Sequence, residues 1–543
     1  MRVSSGGVSG HPRSERPSGW GTYRPNEQAG QGRDEGRRVT VLGGPARTSG
    51  AVAGPHGSSA DDDGTSDPVA VDTPSSSLFG RGLRYVAVWA LQLAASIVVF
   101  PALAHLLPGE EFGRLASAIA LNQVLLVLAV VGLDQALIVV RTELGDRSGR
   151  SLLAFGLALA AAVVAVAAAT VPVWSGLLGF SGAHDLVLVS LASTLPAAAV
   201  VLSSVLLLSQ DRLQAFSVVN VAYGVGGSLA GMAALGVTGS RTAVTYSLGN
   251  LAWLVVTAVV ALLLVRPQWR GAAELSLARR GLRLGLPLMV SSAAVYVLNA
   301  GDRLVIQSVL GATDTGRYQV AYNVGNIAIL LLGMASTAWA PQLTAIRDEV
   351  QRCALISRSR DALLRLMMPV LLGLTLGAPL ALKVAAPASF RPDELLLVSF
   401  LVAAAAFPVV RGNATARELI TLGRTQALAL AAIVAAVVNV GLNVVLLPVW
   451  GLPGAATATF LAFCAQTLLH RLTLPRRVRW PRTAWSVQVG VAGTVAAGAV
   501  TVLLLPQGTA WDVGRFVLAL ACVPWLVHEL RLARAGDASA PAG

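Results

Sequence analysis

The sequence predicts an all-α polytopic membrane protein with about 14 transmembrane helices: two parallel six-helix repeats plus two C-terminal helices. Three observations carry this. The apolar set without glycine is 55% of 543 residues and charged residues are 13%, against about 25% charged in soluble domains. A water-soluble globule of this size could not cover itself. Apolar runs of about 20–25 residues alternate with short polar breaks, and in lipid such runs must be helices because an open strand leaves backbone groups unpaired. Finally, motifs recur in order. Gly113-Arg114-Leu115-Ala116-Ser117-Ala118 returns as Gly316-Arg317-Tyr318-Gln319-Val320-Ala321, Arg212-Leu213-Gln214-Ala215 as Arg424-Thr425-Gln426-Ala427, and Gly239…Ala243-Val244-Thr245 as Gly451…Ala455-Ala456-Thr457.

Residues 1–77 are rich in Gly, Ser, Pro, Arg and Asp, with Asp61-Asp62-Asp63 and no long apolar run. Such a segment cannot offset its ordering entropy, so it is expected to be a disordered cytoplasmic tail; a start of translation further downstream is the alternative. It also lacks the apolar stretch of a cleavable signal peptide. Residues 78–265 form the first six-helix bundle, with spans at 83–107, 112–140, 151–174, 185–208, 214–236 and 242–265. Residues 266–474 form the second, with spans at 284–310, 317–341, 362–386, 394–410, 425–449 and 452–474. Residues 475–543 add two helices, at 484–505 and 512–530, and a short cytoplasmic tail. Six is even, so both halves enter the membrane in the same direction.

Orientation follows from the cations. Breaks after even-numbered spans hold clusters such as Arg141, Arg147 and Arg150, or Arg476, Arg477, Arg479 and Arg482, whereas the odd-numbered breaks hold Arg241, Arg317, Lys383 and Arg391. Cationic loops stay cytoplasmic, which puts both termini inside a plasma (inner) membrane.

The net charge of +13 is a topology signal rather than a nucleic-acid footprint, because no soluble domain gathers the cations on one face. The single lysine, Lys383, lies outside any Gly-Lys-Ser/Thr loop, so there is no P-loop ATPase. Cys353, Cys464 and Cys522 form no CxxC pair, and His528-Glu529 lacks a second histidine at zinc-protease spacing. No catalytic residue, metal site or cofactor is expected.

The chemistry-bearing candidates lie inside apolar runs. Asn299-Ala300-Gly301-Asp302-Arg303 places an ion pair in the seventh span. A charge at membrane depth costs about 2.5–3.5 kcal/mol on insertion scales and persists only beside a cavity or a partner. Two readings stay open: Arg303 lines a transport cavity with Asp302 tuning it, or the pair locks helix packing. Arg84 opens the first span, either as a topology anchor or as a cation at the inner mouth of a cavity. Asp134 is expected to pair with Arg141 or another loop cation. Asn122, Gln123, Asn323 and Asn326 give the second and eighth spans a polar stripe suited to interhelical hydrogen bonds or to cavity lining. Gly227 and Gly231 permit close helix approach. The stretch from Arg347 to Arg365 alternates cations with Val350, Leu355, Ile356 and Leu363, the pattern of a helix lying on an anionic leaflet.

Arg283-Leu284-Gly285-Leu286-Pro287, Asp302-Arg303, Leu310-Gly311, Gly316-Arg317-Tyr318 and Ala321-Tyr322 resemble the second half of polysaccharide (oligosaccharide-lipid) flippases. Asn439-Val440-Gly441-Leu442-Asn443, Leu447-Pro448-Val449-Trp450-Gly451-Leu452-Pro453-Gly454, and Leu107-Pro108-Gly109…Phe112-Gly113 extend the resemblance over about residues 80–530. These flippases share the multidrug/oligosaccharidyl-lipid/polysaccharide exporter superfamily with multidrug-and-toxin exporters and peptidoglycan-precursor flippases. The resemblance implies two six-helix bundles around a central cavity, and movement of undecaprenyl-diphosphate-linked oligosaccharide from the inner to the outer leaflet for surface polysaccharide assembly. Membrane lipids and glycan assembly proteins are the further partners it implies. The peptidoglycan-precursor branch uses cavity arginines on the diphosphate, and here the first span has none beyond Arg84. Arg303, Asp302, Arg84 and Asn299 are therefore the expected substrate-binding residues. The alternatives are a cation-coupled multidrug exporter of the same fold and a polytopic glycan polymerase or ligase.

Overall fold

Helices make up all the regular structure in the described residues of this computed structural model, which are 91–92, 94–338, 346 and 348–538. The tail at 1–77, Arg84 and the start of the first predicted span lie outside them. Twelve helices are long and apolar enough to cross a membrane: α2 (Gly109–Leu144), α3 (Asp146–Ala169), α4 (His184–Ser209), α5 (Leu213–Thr238), α6 (Ala243–Val265), α7 (Leu275–Val309), α9 (Glu349–Ala385), α10 (Pro392–Thr421), α11 (Thr425–Trp450), α12 (Leu452–Thr473), α13 (Trp485–Leu503) and α14 (Thr509–Ala538). Two shorter elements fall on the first and eighth predicted spans: α1 (Ala94–Leu106), and α8, the pair Ala312–Gly325 and Ile327–Ala338 flanking Asn326. The chain is a multi-pass membrane protein. Its outward side chains are those of a helix facing hydrocarbon; Val237 is 88% and Val98 69% exposed, a cost in water that lipid removes.

The internal repeat is visible in packing. In the first half α4 packs on α2, α3 and α6, and α5 on α6; in the second α10 packs on α8, α9 and α12, and α11 on α12. Local details repeat as well. Arg114 pairs with Glu111 at 2.8 Å and Arg317 with Asp314 at 2.9 Å, each one helical turn back. The Arg212 guanidinium donates to the Leu264 carbonyl at the end of α6, and that of Arg424 to the Thr473 carbonyl at the end of α12. Asp211 and Gly423, the residues before those arginines, both sit at positive φ.

The halves meet along α2. Near one end its Gly113 crosses α8 at Gly316, where a Cβ on Gly113 would come 1.6 Å from the Ala312 carbonyl oxygen. Near the other end α2 is interrupted by Val131 and Gly132, both left-handed. A Cβ on Gly132 would come 2.2 Å from the Gly285 carbonyl oxygen of α7, so only glycine fits. Pairs of small residues bring backbones close where apolar side chains gain nothing over lipid. Gly227 and Gly231 of α5 do the same work, abutting Asn250 and Tyr246 of α6. The added helices α13 and α14 both pack on α9.

Two expectations change. The arginine-rich stretch before the ninth span is no separate surface helix: α9 begins at Glu349, capped by the Asp348 carboxylate accepting from the Val350 amide at 2.9 Å. Two of its cations, Arg352 and Arg360, are buried while Arg358 and Arg365 stay exposed; Arg352 donates to both Glu418 oxygens of α10 at 2.8 and 3.0 Å, and Cys353 and Ile356 are buried beside it. A bidentate buried carboxylate outcompetes a lipid surface. Asp134 also takes a different partner, accepting from Gln135 at 2.9 Å, while Arg141 lies 3.6 Å from Asp146.

Candidate functional site

Two cavities flank α1, and Ser96 and Phe100 face both. The first, about 290 Å³, lies within the first half and is walled by α1, α2, α4, α5 and α6. Its described polar lining is amide and hydroxyl: Gln92, Asn122, Gln123, Ser190, Ser193, Tyr223, Ser247 and Asn250 among them. The chain builds this wall by placing small polar residues one turn apart on otherwise apolar helices, as at Ser190 and Ser193 or Ser247 and Asn250. Several are held in place. Asn122 donates to the Ser190 carbonyl at 3.0 Å and to the Thr194 hydroxyl at 3.2 Å. Opposite it, α5 widens into a π turn over Ala222–Gly226, a feature common at functional sites. Trp253 donates to the Ala222 carbonyl at 2.9 Å and Gln92 to that of Asn220 at 2.7 Å, so the carbonyls beside the wider turn stay satisfied.

The second cavity, about 580 Å³, lies between the halves and is walled by α1, Phe112 of α2, α8, α9 and Phe516 of α14. Its lining is mostly aliphatic, including Ile97, Val324, Leu330, Leu380 and Val384, with Asn323 and Asn326 as its amides. Among the described residues neither cavity is lined by a charged side chain.

The ion pair of α7 lies elsewhere. Asp302 has no exposed surface and Arg303 is 5% exposed. Arg303 Nη1 donates to Asp302 Oδ1 at 2.7 Å and to the Asn299 carbonyl at 2.5 Å, and its Nε donates to Gln319 Oε1 at 3.0 Å. Tyr318 donates to Asp302 Oδ2 at 2.6 Å, and the guanidinium lies 3.8 Å from the Tyr322 ring centroid. Gln319 continues the chain to Asn323 at 2.7 Å, so the network runs from α7 to an amide of the apolar cavity. The partners Tyr318, Gln319 and Tyr322 all come from α8, which makes the network a clamp between neighbouring helices. Asn299 joins through its carbonyl, its side chain donating to Val295 at 2.7 Å. Arg84 lies outside the described residues.

Sequence reading missed Tyr223, Ser193, Ser247 and Asn250. Their signal, isolated polar residues at helical spacing, was present but spread over three helices. Among the described residues no group of three or more His, Cys, Asp or Glu residues is arranged to hold a metal ion.

Comparisons place this architecture. A family model described as "Polysaccharide biosynthesis protein" matches residues 102–390. The probable low-salt glycan biosynthesis flippase Agl15 of Haloferax volcanii is 26% identical over 185 residues, which is 34% of this chain. The chain spans 39% of that curated relative's length in the match. Among solved structures, the lipid II flippase MurJ in an inward closed conformation aligns with a TM-score of 0.64 at 12% identity, over 84% of this chain and 99% of its own. An inward-facing multidrug resistance transporter of the MATE family aligns at 0.54 and 14% identity, over 74% and 95% of the two chains. At these identities the likeness to both structures is one of fold.

Proposed function

The chain belongs to the polysaccharide biosynthesis protein family whose model spans residues 102–390, and on that premise we propose that it is a flippase moving lipid-linked oligosaccharide across the cytoplasmic membrane for surface polysaccharide biosynthesis. The observation that carries the reading is the pair of cavities on either side of α1. A lipid-linked glycan is an amphiphile with a polar, largely neutral head of hydroxyls and a long apolar tail. The amide- and hydroxyl-lined cavity suits the first and the larger aliphatic cavity beside α14 suits the second. Ligand sites pair apolar walls with a few placed polar groups in this way. A cationic drug would ask for a carboxylate in the cavity lining, and among the described residues neither cavity has one, so the multidrug reading has less support.

In this reading the protein is a transporter rather than an enzyme. Its arginine-rich breaks face the cytoplasm, and the units are 78–265, 266–474 and 475–543 behind a cytoplasmic tail. The diphosphate of an undecaprenyl-type carrier needs a cation. The proposal keeps Arg303, with Asp302 and Asn299, and Arg84 ahead of α1 for that role. Arg303 meets an anion when the Gln319 hydrogen bond yields, which couples substrate to the α7–α8 clamp. The test is a deletion strain complemented in trans. Lipid-linked oligosaccharide should accumulate on the inner leaflet without the protein and clear with it. Normal glycan export combined with new sensitivity to cationic dyes would hand the function to drug export.

A further inference from the structure

A third cavity, about 260 Å³, opens at the arginine-rich end of the second half, between α9, α10, α12 and the segment that leads into α13. Arg360, Arg411, Arg471 and Arg482 line it together with Trp480. Against these four guanidinium groups the described ion pairs supply one carboxylate, Asp361, 2.8 Å from Arg360 Nε. Arg360 is only 4% exposed. Its Nη1 donates to the Pro481 carbonyl at 3.0 Å, and Trp480 lies against its face at 5.8 Å. Its Nη2 is buried without a hydrogen-bond acceptor among the described residues. A charged donor in that state carries its full desolvation cost, which an anionic acceptor would remove. The hydroxyls of Thr415 and Thr467 already donate to the Arg411 and Pro408 carbonyls. The charged donors left for a ligand are guanidinium groups, whose planar fork matches phosphate oxygens.

We propose that this cavity is a binding site for a phosphate or diphosphate group, carried either by an anionic lipid of the adjoining leaflet or by a soluble phosphate ester. Mutual repulsion of cations held together by three helices and a loop is what an anion offsets. The volume falls just below the ~300 Å³ at which small-ligand clefts begin, so it takes a headgroup and leaves any acyl chains outside. The site is separate from the two cavities beside α1 and does not depend on which glycan, if any, those carry.

The full-length protein in phosphatidylcholine nanodiscs is titrated with inorganic pyrophosphate at constant ionic strength, and in a second arm the discs contain increasing phosphatidylglycerol. Thermal stability is the readout, since a ligand of the folded state raises it. Arg411→Gln, Arg471→Gln and Arg482→Gln remove cations that have no described hydrogen bond. Without anion these variants should be as stable as wild type or more so, because like charges have been removed. Each should weaken the response about tenfold in half-saturating ligand. Arg279→Gln, on α7 outside the cavity, should respond as wild type. A response in the lipid arm alone identifies a headgroup as the source, and one in the pyrophosphate arm alone identifies a soluble ester. No stabilisation in either arm, or a triple variant that responds like wild type, overturns the proposal.

Discussion

Replacing Arg303 with alanine tests the helix clamp directly. The change leaves the Asp302 carboxylate fully buried with the Arg303 amide at 2.9 Å and the Tyr318 hydroxyl at 2.6 Å, but without its cation. Removing one partner of a buried pair costs about 3–5 kcal/mol, chiefly through the stranded charge. Gln319 Oε1 also loses its donor from Arg303, a further cost of about 1–3 kcal/mol. Arg303→Ala should therefore destabilise by roughly 4 kcal/mol or more. The double replacement Asp302→Ala/Arg303→Ala should cost clearly less than the sum of the two single ones, because it strands no charge. Reversible unfolding in mixed detergent micelles, read as a double-mutant cycle, isolates the coupling. Arg303→Lys should fall between, keeping the charge but losing the fork and the stacking on Tyr322. A coupling energy within about 0.5 kcal/mol of zero, or an Arg303→Ala protein as stable as wild type, would refute the assignment of these residues as a clamp.

Further outcomes follow from the same geometry. Gly113→Ala should abolish accumulation of folded protein, because its Cβ would meet α8 backbone at 1.6 Å, whereas Gly441→Ala, with nothing within 4 Å, should be neutral on immunoblots of membranes. Cysteines placed at Gly311 and Gly508 should react with an impermeant thiol reagent on intact cells, and ones at Ser359 and Pro475 should not; labelling at Ser359 would reverse the orientation drawn from the cations. Ser193→Leu narrows the 290 Å³ polar cavity and forgoes only a hydrogen bond to the Val189 carbonyl of its own helix. It should slow clearance of lipid-linked oligosaccharide while membrane levels of the protein stay unchanged, and wild-type clearance would remove that cavity from the path.

What the sequence determined by itself is what depends on local composition and order. Long uncharged runs have no stable state in lipid except a helix, so the existence and approximate place of the spans are readable, while α7, α9 and α10 run on to Leu275, Glu349 and Thr421, past the predicted 284, 362 and 410. The recurrence of Gly113-Arg114 at Gly316-Arg317 and of Arg212 at Arg424 exposed the duplicated half before any packing was known. Hydropathy failed where charge enters a helix already under way. α9 extends back to Glu349 because Arg352 finds Glu418, a residue 66 positions away, and no local window contains both. The Asp302–Arg303 pair was legible as an anomaly, but its partners Tyr318, Gln319 and Tyr322 on α8 were not. The cavity beside α1 was the least legible feature. It takes single serines, amides and tyrosines from five helices, none of them unusual where it stands in the chain. The four arginines around Trp480 likewise read as topology signals until α9, α10 and α12 bring them to one opening. Polarity inside a membrane gains its meaning from what it faces, and in this protein only the crossings at Gly113–Gly316 and Gly132–Gly285 and the helix packing around them set which polar residues face one another.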